Sequence, residues 1–340
     1  METSRLIGTL VTRQHLTAED ARGLFDALME GELDPPVMAA ILTALASKGE
    51  TVDEIVGAAG AMRDRVMRVA VDSGVDAIDT CGTGGDGKPV FNVSSAVAIV
   101  AAAAGATVAK HGNRSNVRPS GSAEVLETLG VDVNADVSTV ERCLQQCRVA
   151  FLYAVRLHPA MKYAAPIRRA LGIRTIFNLL GPLTNPAGVR RQLLGVNRPE
   201  LVPTMLEALR RLGVERALVV HGLEGLCDLS VAGPSRVGRW DGQRATIEEV
   251  DCEVVGATPG DLLELHIRSP QDSAALILRV LEGEKCLARE IVVFNAAAAL
   301  WVAGLAKDWA DGAQRARDVL DGGQARDTLE AWRTVSHRAV

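Results

Sequence analysis

The sequence predicts an α/β protein: a small helical domain followed by a large α/β domain whose mostly parallel sheet is covered by helices. Three observations predict it. Residues 1–70 carry apolar positions at helical spacing and repeated helix-start signals, without a strand pattern. Beyond residue 74, short strand-type runs alternate with helical stretches, the order of a parallel sheet with crossover helices. Aromatic content is only 3%, so the core must be built from Ala, Val, Leu and Ile, as in sheets flanked by helices. The division expected is 1–70 for the helical domain, completed by a later helical segment near 165–190, and 71–340 for the catalytic α/β domain.

In the helical part, Thr17 to Asp20 reads as a capping signal before Ala21, Leu24, Phe25, Leu28 and Met29, which share one helix face. Pro35 and Pro36 fit the first turn of a helix over Val37 to Ser47, with Gly49 as its stop. Thr51 to Glu54 forms another capping box, opening a helix that runs towards Met67. Residues 71–74 serve as a hinge. Val75 to Thr80 alternates apolar and polar residues, as a short strand does. Ser94 to Ala104 then predicts a small-residue helix, Thr107 to Lys110 a strand, Gly121 to Leu129 a helix ending in Gly130, and Val131 to Val133 a further strand. Later, Ala217 to His221 and Ile291 to Phe294 are compact apolar runs of strand type.

The whole composition bounds the function. With 340 residues, 48% of them hydrophobic, a large core is within reach. A formal net charge of −5 argues against a general nucleic-acid surface, so a polyanion must be held by a local patch or through a metal ion. The longest small and apolar stretch, Val97 to Ala109, is too short to span a bilayer, and Met1 to Arg5 lacks the start of a signal peptide. The six cysteines show no zinc-type pairing, which points to reduced thiols and a cytoplasmic location. Cys143 and Cys147 read as packing residues on one helix.

The segment Asp79 to Asn116 carries the chemistry. Gly82-Thr83-Gly84-Gly85-Asp86-Gly87 is a glycine-rich turn whose N–H groups can close on a phosphate. Asn92-Val93-Ser94-Ser95 then opens an apolar helix, and its N-terminus favours an anion. Lys110-His111-Gly112-Asn113-Arg114 adds fixed charge on the next turn. Three such devices together point to a pyrophosphate. The glycines also satisfy G-x-G-x-x-G, but Pro89 and Phe91 precede the helix and no acid follows at the dinucleotide spacing. A P-loop is excluded in the same way, since Pro89 follows Lys88 where Ser or Thr must stand.

These residues, with Lys48-Gly49-Glu50-Thr51, Gly121-Ser122-Ala123-Glu124, and Gly172 to Thr175 continuing through Phe177 to Pro186, resemble the anthranilate phosphoribosyltransferase family. The resemblance implies a nucleoside phosphorylase/phosphoribosyltransferase-like fold, a homodimer formed through the helical domains, and magnesium. It also implies transfer of ribose 5-phosphate from phosphoribosyl pyrophosphate to the amine of anthranilate, in tryptophan biosynthesis. Carried onto this chain, Gly82, Gly85, Asp86, Asn92, Ser94, Ser95, Lys110 and Ser122 would hold the donor, with Ser94 and Asp228 on a metal. Gly82, His111, Asn113, Arg168 and Pro182 would line the acceptor side, Arg168 meeting the carboxylate with its guanidinium fork. His158 and His221 read as structural.

Four departures from the family's pattern fall in the donor and metal site. Val90 replaces Thr, Ser94-Ser95 replaces Ser-Thr, and Ser115-Asn116-Val117-Arg118 replaces Ala-Val-Ser-Ser. Cys227-Asp228 stands where the family has an acidic Asp-Glu pair, and a thiol is a poor magnesium ligand. Arg118 is the expected compensation, a donor-binding residue whose guanidinium replaces the lost hydroxyl contacts at the pyrophosphate, and Glu224 is a further nearby acid. Zinc is disfavoured, with one cysteine and His221 alone in reach. Two readings stand: the transferase with a modified metal site, or a paralogue on the same fold with another acceptor or no transfer.

Overall fold

The computed structural model describes residues 3–115 and 117–338. The chain begins with α1 (Thr3–Val11), α2 (Ala18–Glu30), α3 (Pro35–Lys48) and α4 (Val52–Arg63). The cap signals act as their residue types require. Thr17 accepts the Asp20 N–H at 3.0 Å, and Thr51 and Glu54 exchange bonds at 3.4 and 2.9 Å. Glu54 also pairs with Lys48 at 2.8 Å in a buried setting, tying the end of α3 to the start of α4.

The second part alternates strands and helices: β1 (Ala77–Asp79), α5 (Val93–Ala103), β2 (Thr107–Gly112), α6 (Ser122–Thr128), α7 (Val137–Cys147), β3 (Val149–Tyr153), α8 (Ala154–Leu157), α9 (Met161–Leu171) and α10 (Phe177–Leu180). It continues with β4 (Arg191–Gly195), α11 (Leu201–Arg211), β5 (Arg216–Gly222), β6 (Ser235–Trp240), β7 (Ala245–Val250), α12 (Pro270–Leu281), α13 (Leu287–Ala303), α14 (Trp309–Asp321) and α15 (Gln324–Ser336). The seven strands form one sheet in the order β3-β2-β1-β4-β5-β6-β7. The first five are parallel; β6 and β7 extend the edge antiparallel.

Two apolar cores lie on opposite faces of this sheet. One gathers α5, α13 and the C-terminal helices around Val97, Ile99, Val108, Leu152 and Phe294. The other joins α1 to α4 with α9, α10 and α11 and with the sheet residues Leu194, Val196, Ala217 and Val219. Phe25 of α2 meets Phe177 of α10 edge-on at 5.6 Å between centroids.

Two expected strands are absent. Ile291 to Phe294 lies inside α13, a 17-residue helix buried on nearly all sides. A helix that is apolar all round has no amphipathic signal, so a four-residue window of it reads as a strand. Val131 to Val133 is a loop: the Val131 N–H returns to Leu126 O at 2.9 Å, and the Asp132 N–H is taken by Ser336 Oγ at 3.1 Å. The strand of that unit is β3, after α7, where Cys143 and Cys147 are buried. No described helix is long and apolar enough to cross a membrane.

Candidate active site

The site forms where the parallel strands end, the usual place for a ligand crevice in such sheets. After β1, the chain pairs once more with β4: Gly195 N–H donates to Cys81 O at 3.0 Å, and Thr83 N–H to Gly195 O at 2.8 Å. A side chain on Gly82 would meet Gly195 O at 3.1 Å, so the glycine permits this close approach. Gly84, Gly85 and Gly87 then take φ values of +61°, +75° and +70°. The Arg174 guanidinium braces the turn from outside, 3.2 Å from Gly85 O and 3.4 Å from Gly84 O. Among the described residues, the N–H groups of Gly84, Gly85, Asp86 and Gly87 have no acceptor. A turn with its carbonyls held on one side and its N–H groups free is an anion cradle.

The expected donor residues surround the turn. Lys110 is buried, with Nζ 3.0 Å from Ser94 Oγ and 3.3 Å from Thr80 O. Burial lowers its pKa, and the buried Asp79 opposes that shift. Ser95 Oγ is buried without a partner. Asn92 is used inside the protein: Nδ2 donates to Ser120 O at 3.2 Å, and Oδ1 accepts from Ser273 at 2.7 Å. It thereby fixes the loop before α6, whose first residue is Ser122. Gly112 lets Ser122 close on the end of β2, since a Cβ there would lie 3.2 Å from the Ser122 Cβ. Asp86 also turns inward, its Oδ2 accepting the Cys227 N–H at 3.2 Å.

On the acceptor side, the His111 N–H donates to Asp79 Oδ1 at 3.1 Å, and its Nδ1 lies 3.0 Å from Gly181 O. Pro182 follows directly, so His111 and Pro182 are brought together. Asn113 begins the next loop, with Oδ1 accepting from the Arg114 N–H at 2.7 Å. Arg114 itself is spent on Tyr153 and Glu127. Arg168, on α9, stacks over Phe177 at 5.2 Å. It makes no ion pair among the described residues, and burial lowers its pKa. A half-buried guanidinium without a carboxylate suits an anionic ligand.

The metal set is sparse. Burial pushes the Asp228 carboxyl up to about 7, against the pull of Arg118, with Asp86 adding to the rise. Cys227 Sγ sits 3.9 Å from Gly84 O, and burial raises its thiol pKa well above the ordinary value. Both Glu224 oxygens are buried without a partner and lie beside Gly222 and Gly233. No group of three or more His, Cys, Asp or Glu among the described residues could hold a metal ion. Asp228 and Ser94 carry oxygen, the donor type that magnesium prefers, and magnesium commonly keeps most of its ligands from phosphates and water.

Asn185 and Arg174, which the sequence left without a role, complete the site with His158, which it reads as structural. Asn185 bridges Asp79 and Ala109 O at 2.7 and 2.8 Å, His158 contacts His111, and Arg174 braces the turn. The motif Phe177 to Pro186 marked Asn185 as distinctive, but nothing local named its partners.

A helical bundle joined to an α/β domain with a glycine-lined anion cradle at its strand ends is the build of a glycosyl transferase. Family models agree: "Glycosyl transferase family, helical bundle domain" matches residues 4–66, and "Glycosyl transferase family, a/b domain" matches residues 74–326. Anthranilate phosphoribosyltransferase of Rhodospirillum rubrum is 46% identical over 95% of this chain and 93% of its own. That of Anaeromyxobacter sp. (strain K) is 49% identical over 95% of each chain. The crystal structure of the Thermus thermophilus enzyme superposes with a TM-score of 0.92 at 40% identity, covering 99% of this chain and 100% of that one. The Saccharomyces cerevisiae enzyme in complex with PRPP and Mg gives 0.89 at 25% identity, over 99% and 98%. The chain belongs to the anthranilate phosphoribosyltransferase family.

Proposed function

We propose that this chain transfers the phosphoribosyl group from phosphoribosyl pyrophosphate to the amine of anthranilate, releasing pyrophosphate, as a step of tryptophan biosynthesis. The observation that carries the reading is the presence of two anion sites: the N–H groups of the glycine turn and the Arg168 guanidinium, both without a partner among the described residues. The first suits the pyrophosphate and the second the acceptor carboxylate. Retention of His111, Asn113 and Arg168 supports anthranilate over another acceptor, and the relatives above carry the same activity in their names.

The bond from the anomeric carbon to the pyrophosphate oxygen breaks as the amine nitrogen forms its own bond there, and the amine then passes its proton to water or to the departing pyrophosphate. Gly82, Gly85, Lys110, Ser94, Ser95 and Ser122 would hold the donor, and Lys110 supplies fixed charge as the leaving group gains charge. Arg168, His111, Pro182 and Asn113 would orient anthranilate. Magnesium, bound through phosphate oxygens with Ser94 and Asp228 beside it, would supply further charge neutralisation. No protein nucleophile is required. Residues 1–70 with the segment near 165–190 form the helical domain in this reading, residues 71–340 form the catalytic domain, and the assembly is a homodimer in the cytoplasm.

The test is the loss of anthranilate fluorescence with phosphoribosyl pyrophosphate across a magnesium titration. Turnover is the expected result. Donor binding by calorimetry without turnover would instead favour a paralogue with a different acceptor.

A further inference from the structure

Arg174 joins the two halves of the site. It follows Arg168 in the link from α9 to α10 and precedes Phe177, the ring over which Arg168 stacks. The next residues, Thr175 and Ile176, are buried, and the Thr175 N–H donates to Asn178 Oδ1 at 3.0 Å, so the backbone at Arg174 is anchored. Its side chain is exposed and reaches from that anchor to the donor turn. Nη1 lies 3.4 Å from Gly84 O and 3.2 Å from Gly85 O, and Nη2 lies 3.4 Å from Asn197 Oδ1.

Those two carbonyls belong to the peptide units that carry the N–H groups of Gly85 and Asp86. A trans peptide points its C=O and its N–H in opposite directions. A guanidinium behind the carbonyls therefore aims both N–H groups away from itself, into the cradle, where neither has an acceptor among the described residues. An anion on one side and a cation on the other polarise these two amides in the same sense, and hydrogen bonds in such a chain strengthen one another. A phosphate held by the N–H groups thus tightens the hold of the carbonyls on Arg174. Arg174 in turn fixes the segment that presents Arg168 and Phe177.

We propose that Arg174 is a positioning residue that couples the two substrates. A phosphate group on the glycine turn tightens anthranilate binding, and anthranilate tightens the phosphate by the same factor, as any link between two binding free energies requires. This rests on the donor and acceptor reading given above and deepens it. Bare support of the turn by Arg174 has a different signature: its loss weakens the donor and leaves the factor between the two ligands unchanged.

The experiment is calorimetry on the intact chain, with inorganic pyrophosphate and Mg2+ as the donor-site probe, so that no turnover intervenes. It measures the Kd for anthranilate with and without the probe. In the wild type, saturating pyrophosphate should tighten anthranilate by about fivefold or more, and the reverse titration should return the same factor. In Arg174→Ala the factor should fall below about twofold. Arg174→Lys keeps a cation within reach of one carbonyl and should retain part of it. Arg174→Met keeps the apolar stem and removes every N–H donor, and carries the same expectation should the alanine variant fail to fold. A wild type that binds both ligands independently overturns the proposal and leaves the donor reading standing. Weaker pyrophosphate with the wild-type factor in Arg174→Ala also overturns it, and assigns Arg174 to support of the turn alone. A wild type that takes up no pyrophosphate sinks the donor reading, and this coupling with it.

Discussion

The Nε2 atoms of His111 and His158 lie 3.0 Å apart, with ring centroids at 5.0 Å. A carbonyl oxygen only accepts, so the contact of His111 Nδ1 with Gly181 O assigns the His111 proton to Nδ1. His111 Nε2 must then accept the N–H of His158. Burial lowers the pKa of His111 to about 3, with His158 adding to it, and burial lowers that of His158 to about 4. Both rings are neutral in defined tautomers, and His111 has no free lone pair for general-base work. Its place at the site is that of a shaped, oriented wall.

That pair makes the fold acid-sensitive. The folded pKa values lie below the ordinary histidine value near 6.5. The unfolded chain therefore binds more protons, and stability is lost as pH falls from about 6.5 towards 4. Each histidine can contribute up to about 1.4 kcal/mol per pH unit in that window. Urea midpoints at pH 7.5, 5.5 and 4.5 should fall steadily. The variant His158→Leu should start less stable by about 1–3 kcal/mol, because it leaves His111 Nε2 buried and unpaired. Its pH slope should nonetheless be shallower. An equal slope in both proteins would show that other groups govern the acid limb.

Arg168 tests the acceptor side. Replacement by Lys keeps a cation but loses the planar fork and its stacking on Phe177. The KM for anthranilate should rise about tenfold or more, equivalent to about 1.4 kcal/mol, while the KM for phosphoribosyl pyrophosphate stays within a factor of two or so. A matched rise in both constants would place Arg168 elsewhere in the mechanism.

Gly85 tests the donor turn. At φ +75°, an alanine is strained by about 1–2 kcal/mol, and its Cβ would lie 1.6 Å from Arg174 Nη1. The flexible guanidinium can move aside, so the fold should survive with a slightly lower melting temperature. The bracing of the turn carbonyls would be lost with that movement. Calorimetry should show donor binding weakened at least tenfold in Gly85→Ala; unchanged affinity would mean that the braced turn is not the donor cradle.

What the sequence displays and what it hides follow from the range of the interactions. The Thr17 and Thr51 caps act across three residues, and the glycine turn signals its own φ values, so both were legible. Ile291 to Phe294 was not, because burial all round α13 erases the helical pattern. The expected acceptor residues His111 and Pro182 meet through Gly181. Their supports are long-range: Asn185 reaches Asp79 across 106 positions, and His158 reaches His111 across 47. Residue type alone does not reveal such partners, since a buried Asn or His is equally at home in a capped turn. Arg174 was hidden for the same reason, lying 89 positions from the carbonyl it holds.

Asn185 gives the sharpest test of that hidden scaffold. Asp79 is fully buried, its Oδ1 takes the His111 N–H at 3.1 Å, and its Oδ2 takes Asn185 Nδ2 at 2.7 Å. Burial raises the Asp79 pKa, and the Asn185 bond is the foremost of the contacts that oppose the rise. Asn185→Leu removes that bond and leaves an under-satisfied carboxylate in the core, at a cost of about 2–4 kcal/mol. The sign with pH is opposite to that of the histidine pair. An acid whose folded pKa is raised binds its proton more readily in the native state, so the damage shrinks as pH falls and the carboxyl becomes neutral. The loss of stability, taken as variant minus wild type, should therefore be larger at pH 8 than at pH 5. Because the histidines are common to both proteins, their contribution cancels in that difference. A loss of the same size at both pH values would mean that the Leu variant fails through packing alone, and that the Asp79 charge is not held by Asn185.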